Sequence, residues 1–262
     1  MISTLRKIRS GLLEEKKIKS YLIYGIGEIT LVVVGILIAV NINNLNEKFQ
    51  NSKIEKEILY QLQEEYTFNL IQLEQKISMR NEIINASLDV MKYMDNPDID
   101  LHKDTLNAKI RFLNIDPTFD PIQNNLIGSG NIRLIKNKEL KKKLINWSSN
   151  FKAVQEMELQ WQKTTIDFNT PYQIKLGILR DMEHVNYSKD ETPDFIIGET
   201  QGQKIDLGRS RFSPSVKSLL SDPYLEGLMT VAVRTNNTAN LQSFVLRDEI
   251  KEILELVENE LK

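Results

Sequence analysis

The chain has 262 residues, no cysteine and a formal net charge of −2. That near-balance excludes the basic face a nucleic-acid partner requires, and the absence of cysteine excludes a disulfide-stapled scaffold without assigning a compartment. Seven prolines and eleven glycines, in a chain rich in Lys, Glu, Leu, Ile and Asn, suit long helices better than a sandwich or barrel.

Residues 1–20 are basic. Arg6, Lys7, Arg9, Lys16, Lys17 and Lys19 oppose only Glu14 and Glu15. Ile2, Leu5, Ile8, Leu12 and Leu13 recur at helical steps, so this segment is expected to be an amphipathic helix lying on the inner leaflet.

Residues 21–42 follow, opening with Tyr21–Val40, YLIYGIGEITLVVVGILIAV. Twelve of these twenty residues are Leu, Ile or Val, and Glu28 is the one ionisable group. At roughly −0.3 to −0.6 kcal/mol each, the twelve outweigh about +3 kcal/mol for a mid-membrane carboxylate. About 20 helical residues also match a hydrocarbon core of roughly 30 Å. The reading is a single transmembrane helix. Ala39 is followed by Val40-Asn41-Ile42-Asn43-Asn44 with no small-x-small cleavage site, so an uncleaved signal anchor is expected rather than a removed signal peptide. Six Lys/Arg precede the span, whereas Lys48, Lys53 and Lys56 are the three in the 20 residues after it. The positive-inside rule then puts the N-terminal segment in the cytoplasm and the rest outside. Tyr21 and Tyr24 fall at the cytoplasmic interface, where amphipathic rings anchor a helix.

On the helix, Glu28, Val32, Gly35 and Ala39 share one stripe at steps of four, three and four. Gly35 and Ala39 form a small-xxx-small pair that lets two backbones approach. The stripe is expected to be a helix–helix interface, with a second copy or another membrane protein, across which Glu28 hydrogen-bonds.

The run GIGEITLVVVGILIAVNINNLNE, after the basic LRKIRSGLLEEKKIKSYLIY, resembles the opening of the domain-of-unknown-function 6090 family. The residues that carry the likeness are Tyr21, Tyr24, Gly27, Glu28, Gly35–Ala39 and Ile42–Glu47, with Leu45 standing where many members have Trp. A second similar block is Leu126–Trp147, LIGSGNIRLIKNKELKKKLINW. The resemblance implies a single-pass membrane protein of Gram-negative bacteria with a helical extracytoplasmic part. It implies no activity.

Residues 43–262 read as one extracytoplasmic helical-bundle domain. From Asn46 to Met94 there is no Gly or Pro, and Leu59, Leu62, Tyr66, Leu73, Ile77, Ile84, Leu88 and Met91 give one apolar face. Arg80 and Asn69 interrupt that pattern, which favours a bundle helix over a free coiled coil. The turn Asp95-Asn96-Pro97-Asp98 stops it. With Asp100 and Asp104 it is acidic, yet it lacks the central Gly and terminal Glu of a calcium loop. Short helices are expected over Lys103–Asn114 and Pro117–Ile127, with a break at Gly128-Ser129-Gly130-Asn131.

Asn137 is expected to cap the next long helix. Its stripe runs Leu140, Leu144, Trp147, Phe151, Val154, Glu158, Trp161, Thr165, Phe168 and Tyr172, a seam expected to pack on the first long helix. Pro171 should end or kink that helix near Thr170. Met182–Val216, rich in Gly, Pro and polar residues, reads as a long irregular loop with a short hairpin at Phe195–Ile197 and Lys204–Leu207; as the longest loop it is the expected partner-contacting surface. Ser221 should cap the last helix, Asp222–Lys262.

The expected fold is therefore mainly α: an N-terminal transmembrane helix, then an elongated antiparallel bundle with one irregular loop at about 182–216. His102 and His184 are isolated, and no Gly-x-Ser-x-Gly, His-Glu-x-x-His or Walker pattern occurs. No catalytic, cofactor or metal residue is assigned, and the chain reads as no enzyme. The leading functional expectation is an inner-membrane-anchored interaction module of the bacterial envelope. Its expected partners are membrane lipid and either a second copy or another membrane protein. The competing one is an accessory subunit of a proton-driven or signalling membrane complex acting through Glu28.

Overall fold

A computed structural model describes residues 18–96, 98–123, 126, 128–187 and 205–262. The chain divides into two compact units, Met1–Ile58 and Leu59–Lys262. The described residues are mainly helical and contain no strand. The first helix, α1, is Ile18–Met94 and contributes to both units.

In the first unit, the large aliphatic side chains of α1 from Leu22 to Leu45 are exposed, without protein cover. Its most apolar 18-residue window has a mean hydropathy of 2.3 and none of it is buried. Among the described residues it is the one helix long and apolar enough to cross a membrane. The hydroxyl of Thr30 donates to the Ile26 carbonyl at 2.8 Å. That bond satisfies it within the helix itself, as an apolar surrounding requires.

The second unit has an extensive apolar core. Leu59, Leu62, Tyr66, Leu73 and Ile77 of α1 are buried as the periodicity predicts. Beyond Ile77 the buried face runs through Arg80, Ile83, Ser87 and Val90, whereas Leu88 is exposed and Ile84 and Met91 are half-buried. This corrects the expected stripe of Ile84, Leu88 and Met91. The pattern 80, 83, 87, 90 keeps helical steps once a charge is allowed inside.

Helix α1 ends at Met94, where Asp95 N–H still reaches the Met91 carbonyl. Helix α2, Lys103–Ile110, is capped by His102, whose Nδ1 accepts from the Asp104 N–H at 3.2 Å, and tightens into a 3₁₀ turn over Arg111–Asn114. The helix expected over Pro117–Ile127 does not form in its described part. Pro121 lies four residues after Pro117, so in a helix its ring would strike the Pro117 carbonyl. Asp120, preceding a proline, is also turned away from helical backbone. The segment is extended instead, and Asn69 pairs with both the N–H and C=O of Ile122 at 2.8 and 2.9 Å. Gly130, in left-handed conformation at φ 74°, turns the chain into a 3₁₀ turn, Asn131–Leu134. Among the described residues no helix runs into Gly128, and Gly128–Gly130 form a turn.

Helix α3, Lys138–Thr164, starts at Asn137, whose side chain accepts from the N–H groups of Glu139 and Leu140, both at 3.0 Å. Its buried face is Leu140, Leu144, Trp147, Phe151, Val154, Glu158, Trp161 and Thr164. The seam is shared: Trp147 meets Tyr66 of α1 edge-on at 5.1 Å, while the α3 backbone lies along the last helix. A π turn, Thr165–Asn169, then leads into α4, Thr170–Leu176. Gly177, at φ 70°, closes α4 with its N–H on the Ile174 carbonyl.

Helix α5 is Leu179–Tyr187, so the expected irregular loop begins six residues late. The hairpin positions Phe195–Ile197 and Lys204 lie outside the described residues, and Ile205–Leu207 form no strand. The described part of the loop is held down on helix ends. Arg180 Nε donates to the Leu207 carbonyl at 2.7 Å, and Asp181 accepts from the Ser210 N–H at 2.7 Å. Helix α6, Val216–Leu220, is followed by α7, Pro223–Leu261. The cap of α7 is Asp222, which accepts from the Tyr224 N–H at 2.9 Å, and not Ser221. Pro223 then takes the first helical position, where its missing N–H is no loss.

Candidate functional site

Of the predicted membrane residues, Arg6, Lys7, Arg9, Lys16 and Lys17 lie outside the described residues, and Lys19 is described only as helical backbone. Tyr21 and Tyr24 are half-buried. Glu28, Val32, Gly35 and Ala39 fall on one face of α1 and are all exposed. No atom comes within 4 Å of a Cβ placed on Gly35, so a second backbone meets no obstruction there.

The second unit encloses a polar layer that periodicity passes over. Arg80 of α1 is 0% exposed and is paired with Glu158 of α3. Arg80 Nη1 donates to Ser243 Oγ of α7 at 2.8 Å, and Nη2 to the Pro117 carbonyl at 3.2 Å. Glu158 Oε1 also accepts from the Phe119 N–H at 3.0 Å. One ion pair therefore ties α1, α3, α7 and the extended 117–119 segment. Burial raises the Glu158 carboxyl, to about 7, against the pull of Arg80 and the Phe119 N–H. Burial likewise lowers Arg80 against the pull of Glu158. Neither group is exposed, and the pair links three helices through the core. The signal in the sequence was two opposite charges at buried phase on two helices, one of them taken for an interruption.

Two of the acidic turn residues, Asp98 and Asp104, are ion-pair partners. Asp104 is paired with Arg209, whose Nη2 lies 2.6 Å from Oδ2, and Asp98 lies 3.4 Å from Lys217. Among the described residues no group of three or more His, Asp or Glu is arranged to hold a metal.

A cleft in the second unit carries exposed aromatic and charged groups. It has a volume of about 390 Å³ and lies at the π turn, between the start of α4 and the start of α7. Tyr172 stacks on Tyr224 with ring centres 5.2 Å apart, and its hydroxyl donates to Asp222 Oδ2 at 2.8 Å. Burial and the Asp222 carboxylate both raise the Tyr172 phenol above its usual range. Tyr224 is 50% exposed and Phe168 51% exposed, with Asp167 and Lys175 at the rim. Phe168 was expected in the buried seam. The π turn adds one residue to the helical repeat, so Asn169 turns inward, donating to the Leu113 carbonyl at 2.9 Å, and Phe168 turns out.

Residues 28–110 match the model of DUF6090, a family of unknown function and the one the opening motif resembles. The match spans the Glu28 stripe, the rest of α1 and α2, and stops before Leu126–Trp147 and the cleft. No curated protein and no solved structure gives a match.

Proposed function

We propose that this chain, whose residues 28–110 match DUF6090, is an inner-membrane-anchored helical interaction module of the bacterial envelope. Its N-terminal segment is cytoplasmic, its second unit is periplasmic, and it has no catalysis of its own. The observation that carries this reading is the contrast along α1. The 18-residue apolar window has no protein cover, while Leu59–Val90 carry a buried face of a packed domain. An uncovered run of Leu, Ile and Val that long is stable in lipid and a liability in water. The orientation rests on the excess of Lys/Arg before the span. The basic residues Arg6 to Lys19, with Tyr21 and Tyr24, would hold its inner end at the headgroups. Alkaline phosphatase fused after Lys262 should be active and a cytoplasmic reporter at the same place silent; the reverse pattern would overturn the orientation.

A second reading rests on Glu28, a carboxylate on the exposed face of an apolar helix. Lipid is a poor solvent for that group, so a protein partner facing it, from a second copy or another membrane protein, would satisfy it. Val32, Gly35 and Ala39 would line that contact. In this reading the chain is an accessory subunit of a proton-driven or signalling complex. A single cysteine at Gly35 or Ala39 should crosslink to that partner, and one at Val33 or Leu37 should not. Equal crosslinking around the helix would remove the interface.

A further inference from the structure

The cleft at the π turn has the features of a small-ligand site, and the side chains that line it restrict what the ligand can be. Its volume, about 390 Å³, lies in the range of pockets that take small molecules. Two aromatic surfaces border it. Tyr224 has its neighbour Tyr172 at one side and is still half exposed. Phe168 is put outside by the extra residue of the π turn, an irregularity often found at functional sites. Exposed rings held on rigid helices give a ligand a flat apolar surface at little entropic cost.

The polar groups decide the class. Both oxygens of Asp222 are engaged inside the protein, Oδ1 by the Tyr224 N–H and Oδ2 by the Tyr172 hydroxyl. Among the described residues the side chains of Asp167 and Lys175 have no hydrogen-bond or ion-pair partner. The free groups are thus one acceptor of charge −1 and one donor of charge +1, beside two rings. A cationic ligand would be drawn to Asp167 and the rings but opposed by Lys175, and an anionic one the reverse. A neutral ligand with an apolar ring face and hydroxyl groups can use all four groups at once, the ring face on the aromatic rings, one hydroxyl donating to Asp167 and another accepting from Lys175. We propose that the cleft formed by Phe168, Tyr224, Asp167 and Lys175 binds a neutral oligosaccharide, one pyranose face lying on the aromatic rings. This rests on the reading of the second unit as an interaction module and gives that module a ligand.

The test uses the full chain in lipid nanodiscs, free of glycoside detergent, titrated calorimetrically with N,N′,N″-triacetylchitotriose, maltotriose and, separately, trilysine. A saccharide should bind with 1:1 stoichiometry and trilysine should not. Phe168→Ala and Asp167→Asn, both at exposed positions, should each weaken saccharide binding by about tenfold or more, the effect of losing one hydrogen bond to a charged group or one stacked ring. Leu241→Ala, on an exposed face of α7 away from the cleft lining, should leave it unchanged. No heat with either saccharide at millimolar concentration, or equal binding by the Phe168 variant, would overturn the proposal, as would binding of trilysine in place of the sugars. Membrane insertion is scored in the same samples by resistance to carbonate extraction, so loss of the anchor and loss of the sugar site are told apart.

Discussion

Arg80 is the largest side chain in the second unit with no exposed surface. A guanidinium is not deprotonated in a protein interior, so its burial holds only while Glu158, the Ser243 hydroxyl and the Pro117 carbonyl are in place. Removing one member of such a pair leaves an uncompensated buried charge and costs about 3–5 kcal/mol, whereas replacing both by apolar residues costs far less. Arg80→Met and Glu158→Leu should therefore each lower the urea midpoint strongly, and the double variant should recover most of the loss. Singles that each cost no more than the double would show that the pair does not hold the helices in register. Asp181 gives a pH-dependent counterpart. Burial alone would raise its carboxyl, but the Ser210 N–H and Lys103, 3.0 Å away, overcome that and hold it below the usual carboxylate range. A group depressed on folding stabilises above its unfolded value and loses that contribution as pH falls through its folded value. Stability should thus decline on the acid side, and Asp181→Asn should flatten that limb in urea titrations at several pH values. Glu158, raised on folding, acts in the opposite sense: its contribution is full below about 4.5 and is lost as pH rises through about 7.

At the scale of elements, the helices were legible and their exceptions were not. The spacing predicted α1, α3 and α7, because long stripes at steps of three and four admit little else. Asn137 was legible as a cap because the residue type and position both fit. The Pro117–Gln123 segment was misread because its apolar residues fall at helical spacing, while the Pro117/Pro121 clash outweighs them. Phe168 was misread because its position depends on a single extra residue in the turn before Pro171. Proline cannot donate to the Asp167 carbonyl, and the Thr170 N–H reaches back to Thr165 instead. A pattern read at a fixed period cannot register that slip. Gly177 marks the end of this unit, and its role is testable. At φ 70° a side chain is strained, and a Cβ there would stand 3.1 Å from that of Phe212. Gly177→Ala should destabilise the second unit by about 1 kcal/mol or more, read as a fall in melting temperature. An unchanged melting temperature would mean that the α4–α5 corner relaxes freely.

At the scale of the whole molecule, the two units treat their apolar residues differently. The first unit presents apolar surface that only lipid or another protein covers well, and the second buries its own. The second unit, Leu59–Lys262, should therefore fold without the first, giving a far-UV circular dichroism spectrum dominated by helix and a cooperative thermal transition. A fragment that stays unfolded would show that the anchor is needed for the core. The candidate cleft, by contrast, was invisible before the fold was known. Phe168 and Tyr224 are 56 positions apart in sequence, and nothing in either local pattern marks them as neighbours around one cavity.

In the proposed topology residues 21–42 cross the membrane, with the helical unit on the outer side. The chain has no cysteine, so single cysteines report accessibility without background. Spheroplasts carrying Lys16→Cys or Asp248→Cys should be treated with a membrane-impermeant maleimide before and after lysis. Asp248→Cys should be labelled in intact spheroplasts and Lys16→Cys only after lysis. Labelling of Lys16→Cys alone in intact spheroplasts, or recovery of the unmodified protein in the soluble fraction, would contradict it.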